Sequence, residues 1–107
     1  MRRLVFAEPA ERDLADIIDY IASDNPSAAE KFYRSVVGAT RRLIDFPEMG
    51  RIGRLPDTRE LSLPSLPYLI VYQVTVNAVT ILAVFHTARD LARALAERTE
   101  ELRRKPS

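Results

Sequence analysis

The side chains of this sequence with the means to do chemistry are Arg51, Arg54, Arg59, Tyr68, Tyr72, His86, Arg89 and Asp90. Arginine grips phosphates and carboxylates through paired N–H donors, and histidine moves protons near neutral pH. Together these types match a metal-free RNA-cleaving site, which needs a base for the ribose 2′-OH, cations for a charged phosphorane and an acid for the leaving oxygen. In that reading Arg59 clamps the phosphate and His86 is the acid or base. Each residue also has a structural reading. A lone histidine at a strand end serves as a hydrogen-bonded structural group, and Arg51 and Arg54 serve as solvated loop charge. Arg89-Asp90 then fixes a strand-to-helix junction, with Asp90 near a helix N-terminus, where a carboxylate is favourable.

Other chemistries are excluded by composition. One histidine and no cysteine leave no multi-histidine metal site, zinc ribbon, disulfide or thiol nucleophile, so neither metal nor cofactor is expected. There is no glycine loop to cradle phosphates and no nucleophile elbow. The 107 residues make a single domain, 1–107, that buries roughly 60 to 70% of its unfolded surface. Sixteen Lys and Arg against fifteen Asp and Glu give a net charge of +1, which names no nucleic acid or membrane partner. The opening residues, with two arginines before a short apolar stretch ended by Glu8 and Pro9, read as neither signal peptide nor membrane span. The cytoplasm is the expected location.

The elements that position these residues follow from periodicity. Arg3 to Ala7 reads as a strand, and Pro9 suits the first turn of a helix running to about Ser23. Leu14, Ile17, Ile18 and Ile21 form its buried stripe, with Glu11, Asp13, Asp16 and Asp19 assigned to solvent. Asn25 caps a second helix, opened by Pro26 and closed before Phe46-Pro47, whose core face carries Ala29, Phe32, Val36, Ala39 or Thr40, and Leu43. The short link predicts an antiparallel helix hairpin. Residues 47–57 read as loop. Period-two alternation then gives a strand over 58–63 and a hairpin of two longer strands, 68–76 and 79–86, about a turn at Asn77-Ala78. Ile70, Tyr72, Val74, Ile81, Ala83 and Phe85 fall on one parity, and Leu69, Val71, Leu82 and Val84 on the other, so both faces need cover. The helix hairpin covers one. A last helix with the stripe Ala88, Leu91, Ala92, Leu95, Thr99 and Leu102 covers the other, with Arg93, Arg98 and the remaining charges solvated and the end fraying near Pro106.

The ordered set of motifs carries a resemblance across nearly the whole chain. Ala10 to Ile21, Asn25-Pro26 with Ala28-Ala29, Phe46-Pro47 and Gly50-Arg51-Ile52-Gly53-Arg54 are similar to the ParE/RelE toxin superfamily. Thr58-Arg59-Glu60-Leu61, Leu66 to Tyr72 and Val84 to Asp90 continue the likeness in the same order. The resemblance implies an α+β fold in which an N-terminal strand and a two-helix hairpin precede a three-stranded antiparallel meander and a C-terminal helix. It also implies the toxin of a type II toxin-antitoxin, plasmid stabilisation type system, which arrests growth unless wrapped by a small, acidic, partly disordered antitoxin.

Within that superfamily, RelE-like members resemble ribosome-dependent mRNA endonucleases, whereas ParE-like members are taken to poison DNA gyrase. This sequence departs from the nuclease pattern. Its only lysines are Lys31 and Lys105, Leu69, Ile70 and Gln73 stand where nucleases carry a phosphate-clamping arginine, and Thr87 follows His86 where a tyrosine is often found. The expectation is therefore a ParE-like toxin directed at gyrase, with Arg51, Arg54, Tyr68, Tyr72, Arg89, Leu91 and Leu95 as the residues that meet antitoxin or target. The alternative is the endonuclease acting on ribosome-bound mRNA through Arg59 and His86, and a third possibility is an inactive member that keeps only its antitoxin contacts. Charge distribution agrees with a protein target: residues 1–46 carry seven basic and eight acidic side chains, 47–88 three of each, and 89–107 six against four.

Overall fold

Two helices are set by their first residues. In a computed structural model, which describes residues 2–104, α1 (Glu8–Ala22) starts with Pro9 where no N–H is needed. α2 (Pro26–Asp45) is capped by Asn25, whose side-chain oxygen accepts the Ala28 N–H at 3.1 Å. The expected face of α2 is the buried one: Ala29, Phe32, Val36, Ala39, Thr40 and Leu43 all point inward. Leu14, Ile17, Ile18 and Ile21 of α1 pack against the same core.

Among the described residues the sheet has five strands, where four were expected. β1 (Arg3–Phe6), β2 (Arg51–Ile52), β3 (Arg59–Ser62), β4 (Tyr68–Val74) and β5 (Ala78–His86) lie in the order β1-β5-β4-β3-β2. β2, read from its glycines and arginines as loop, is two residues paired with the start of β3. The antiparallel meander is thus β3-β4-β5, extended by β2 on one edge and by β1, parallel to β5, on the other. The β4–β5 turn is centred on Val76-Asn77, one residue earlier than expected, and is closed by Thr75, whose N–H donates to the Ala78 carbonyl and whose hydroxyl accepts the Ala78 N–H.

A bulge changes which residues share a face. Tyr72 stands opposite Ile81 but Val71 opposite Ala83, so Leu82 is the extra residue. Ile81 therefore joins Ile70, Tyr72 and Val84 under the helix hairpin, while Ala83 and Phe85 join Leu69 and Val71 on the other side. Uninterrupted alternation had put Ile81, Ala83 and Phe85 together. The second side is covered by α3 (Leu91–Arg104) through Leu91, Ala94 and Leu95. Asp90 accepts the Arg93 N–H at the start of this helix, which fixes the strand-to-helix junction as expected. The fraying expected near Pro106 lies outside the described residues.

Candidate functional site

Arg59 and His86 do not converge. Arg59 pairs with Tyr72 and His86 with Tyr68, so they sit on opposite sides of β4 and four residues apart along it, about 13 Å in that direction alone. Each is also occupied. The Arg59 guanidinium donates to the carbonyl of Gly50 at 2.8 Å and reaches that of Glu48 at 3.5 Å. His86 accepts the Ala88 N–H on Nδ1 at 3.0 Å, which puts the proton of the neutral ring on Nε2, and its ring meets Tyr68 edge-on. Among the described residues no group of three or more His, Cys, Asp or Glu is placed to hold a metal ion.

Arg51 and Arg54 belong to one polar cluster centred on Glu60. Glu60 on β3 is buried, accepts the Arg54 backbone N–H at 3.0 Å and pairs with the Arg51 guanidinium at 3.1 Å and that of Arg54 at 3.7 Å. Burial alone pushes its carboxyl pKa up. The Arg54 N–H, the Arg51 hydrogen bond and two guanidinium charges outweigh that and hold it below the usual carboxylate range.

Tyr72 fastens the same region from beneath. Fully buried, it donates its hydroxyl proton to the Pro47 carbonyl at 2.7 Å and accepts the Gly50 N–H at 2.9 Å. Burial pushes the phenol pKa up, against the opposing pull of that N–H and of Arg59. A Cβ at residue 50 would lie 2.6 Å from the Tyr72 oxygen and 2.8 Å from the Glu60 carbonyl, so only glycine lets the loop approach this closely.

Of the residues expected to meet a partner, Arg51 and Arg54 are exposed and Leu91 is half-buried. Arg89 lies over the Phe85 ring at 4.9 Å and is half exposed. Tyr68, Tyr72 and Leu95 are corrected to core: Tyr68 packs on Phe32, Tyr72 anchors the loop and Leu95 is on the buried face of α3. They were chosen because aromatic and leucine side chains anchor interfaces, the same property that draws them into a core.

Two further residues were assigned to solvent; Arg98 is instead buried and the Asp13 side chain is only 11% exposed. Arg98 of α3 and Asp13 of α1 form a two-pronged pair, both contacts 2.7 Å. They also finish the edge of β5. Beyond the end of β1, the Val84 N–H donates to Asp13 at 3.0 Å and the Leu82 carbonyl accepts from Arg98 at 2.9 Å. A signal for Arg98 was present, since it lies four residues after Ala94 and seven after Leu91, on the true buried stripe of α3.

Two apolar grooves flank this framework. One runs between β1 and the hairpin, lined by Leu4, Phe6, Leu14, Ile18, Val36 and Val37, with Glu11 and Arg41 also on its wall. The other lies beside α3, between Leu95 and Leu102 on one side and Leu55, Pro56 and Val71 on the other. No described helix is long and apolar enough to cross a membrane.

Comparison with known proteins resolves the family. The chain is similar to the putative toxin Y4kP of Sinorhizobium fredii, 38% identical over 85 residues that span 79% of this chain and 88% of that protein. It is likewise similar to toxin RelE2 of Caulobacter vibrioides, 33% identical over 83% of this chain and 99% of that one. Among solved structures, a chain of the chromosomal ParDE toxin-antitoxin system of P. aeruginosa superposes with a TM-score of 0.72 at 25% identity, covering 80% of this chain and 96% of its own. The model of the ParE toxin of the type II toxin-antitoxin system parDE matches residues 4–91. With that match spanning most of its length, the chain belongs to the ParE toxin family of type II toxin-antitoxin systems.

Proposed function

We propose that this toxin arrests growth by binding and poisoning DNA gyrase, and that a small, acidic, partly disordered antitoxin neutralises it. The observation that carries the reading is the separation of Arg59 from His86 across β4, with the Arg59 guanidinium taken up by two loop carbonyls. A phosphoryl-transfer site needs donors converging within hydrogen-bond reach of one phosphate. A toxin of this geometry acts by contact. The ParDE name of the solved relative supports an antitoxin partner, and an apolar groove between β1 and the hairpin suits a segment that folds as it binds.

The experiment is a gyrase supercoiling assay with the purified chain, beside growth on its induction. Inhibition at saturating toxin, relieved by the antitoxin, is expected. Growth arrest with supercoiling untouched overturns the gyrase target. Codon-aligned mRNA cuts mapped by primer extension, and lost in Arg59→Ala or His86→Ala, would establish the endonuclease instead.

A further inference from the structure

Three large apolar side chains stand in solvent within seven residues of one another: Phe46 is 64% exposed, Met49 41% and Ile52 79%. Isolated exposed hydrophobes are ordinary on a protein surface. These three differ because the chain that carries them is held from several directions. The Met49 N–H donates to the Phe46 carbonyl, closing a turn in which Pro47 presets the backbone. Tyr72 binds Pro47 and Gly50 from below, and Arg59 binds the carbonyls of Gly50 and Glu48 from the side. Arg59 is also the residue opposite Ile52 in the sheet, so it joins Ile52 to the Phe46–Met49 turn as one surface. Five hydrogen bonds from two side chains and the backbone are spent on a segment that buries none of its three large apolar groups.

We infer that Phe46, Met49 and Ile52 form the knob by which the toxin engages a folded target protein, inserting into an apolar pocket on that partner. This rests on the reading of the chain as a toxin that acts by binding a protein. Shape selects the occupant. A disordered antitoxin segment buries its apolar face by lying along concave tracks, which the grooves beside β1 and α3 provide. A fixed projection with its side chains already ordered loses little entropy on insertion and needs a cavity formed beforehand. Charge gives the pocket its rim. Asp45 and Glu48, both exposed, flank Phe46 and Met49, whereas Arg51 and Arg54 turn to Glu60 on the opposite face of the sheet from Ile52. The complementary pocket is apolar at its floor and basic on the rim that meets Phe46 and Met49.

The test places a carboxylate at the knob in the full chain, as Phe46→Glu and Ile52→Glu. Thermal unfolding should match the wild type, because neither side chain packs inside. Target binding should weaken by about 30-fold or more, the loss of one anchor residue, so induction should no longer arrest growth. Direct titration with the protein encoded by the adjacent reading frame, expected to be the antitoxin, should give an affinity within about threefold of wild type. Variants that fold and still arrest growth overturn the inference. So do variants that keep arrest but escape the antitoxin, which would give the knob to the antitoxin instead. If either glutamate lowers the unfolding temperature, Phe46→Ser and Ile52→Ser decide by the same criteria. A wild type that arrests growth without touching gyrase removes gyrase as the target and leaves the knob to be judged by arrest. A wild type that does not arrest growth removes the toxin reading and this one with it.

Discussion

The two edges of the sheet end in strands too short to complete it, and each is finished by a carboxylate drawn largely out of solvent. On the β1 edge, Asp13 and Arg98 occupy the length of β5 that β1 does not reach, joining residues 71 and 85 positions apart. On the β2 edge, Glu60 gathers Arg51 and Arg54, its partners nine and six positions away. The first pair is largely shielded from solvent on both sides. The second is buried only at the carboxylate, with both guanidinium groups reaching solvent. A fastening of the first kind ties together helices from both ends of the chain and belongs to the fold as a whole. One of the second kind shapes a single loop and can loosen without unfolding the domain.

The largest effect should come from breaking the first fastening on one side. Asp13→Ala leaves the buried Arg98 guanidinium with only the Glu101 carboxylate, 3.2 Å from its Nε, as counter-charge and the Val84 N–H without an acceptor, at a cost of about 3 kcal/mol. Denaturant titration should show this as a lower midpoint with the slope retained. Replacing both partners, as Asp13→Leu with Arg98→Met, removes the stranded charge and should recover much of the loss. Recovery should stop short by about 1 to 3 kcal/mol, since the β5 edge groups still lack partners. Full recovery would mean that the strand edge finds other partners or water, and that the pair serves only itself.

The same contrast explains how much of the molecule was legible in its residues. α2 was read to the residue, because a 3.6-residue stripe with a capping Asn-Pro is a local signal complete in itself. The hairpin strands were legible as strands, but the Leu82 bulge was not, since an apolar run on both faces hides a one-residue slip. β2 was invisible because two residues carry no period. Arg98 and Asp13 were sent to solvent on charge type, and no short-range pattern links positions so far apart. Arg59 and His86 were placed on the right strands, yet distance between strands depends on register, which residue type alone does not encode. Phe46, Met49 and Ile52 were not read as an exposed surface for a related reason: exposure of an apolar residue is knowable only once the core has been filled by others.

The second fastening should reveal itself in acid. The Glu60 pKa is lower in the folded protein than in the unfolded chain, so its contribution is complete above the ordinary glutamate value of 4.5 and is lost as pH falls through the folded value. Unfolding temperature should therefore fall from about pH 5 downward, and Glu60→Gln should flatten that fall while costing about 1 to 3 kcal/mol at neutral pH. Glu101, held below the usual range by its hydrogen bond from Arg12, titrates in the same direction, so Glu101→Gln is the control that isolates Glu60. Amide exchange should quicken over residues 50–54 in Glu60→Gln before it quickens in β5. Uniform acceleration across the domain would abolish the distinction between a local and a fold-wide fastening.

The smallest effect on stability bears most directly on activity. Tyr72→Phe keeps the ring in the core and removes only the hydroxyl that joins Pro47 to Gly50, at a cost of about 1 to 2 kcal/mol. The Phe46–Ile52 segment then keeps its surface chemistry but loses a tether, and its amides should exchange faster than those of β4 and β5. If a preordered knob is what engages the target, growth arrest should weaken while antitoxin binding stays unchanged, although none of the exposed side chains has been altered. Lowering stability by the same amount outside that segment supplies the reference, and Leu95→Val on the buried face of α3 serves for it. Equal loss of toxicity in both variants would assign the effect to stability. Loss in Tyr72→Phe alone would assign it to the order of the loop, making Tyr72 a positioning residue that acts through the backbone it holds.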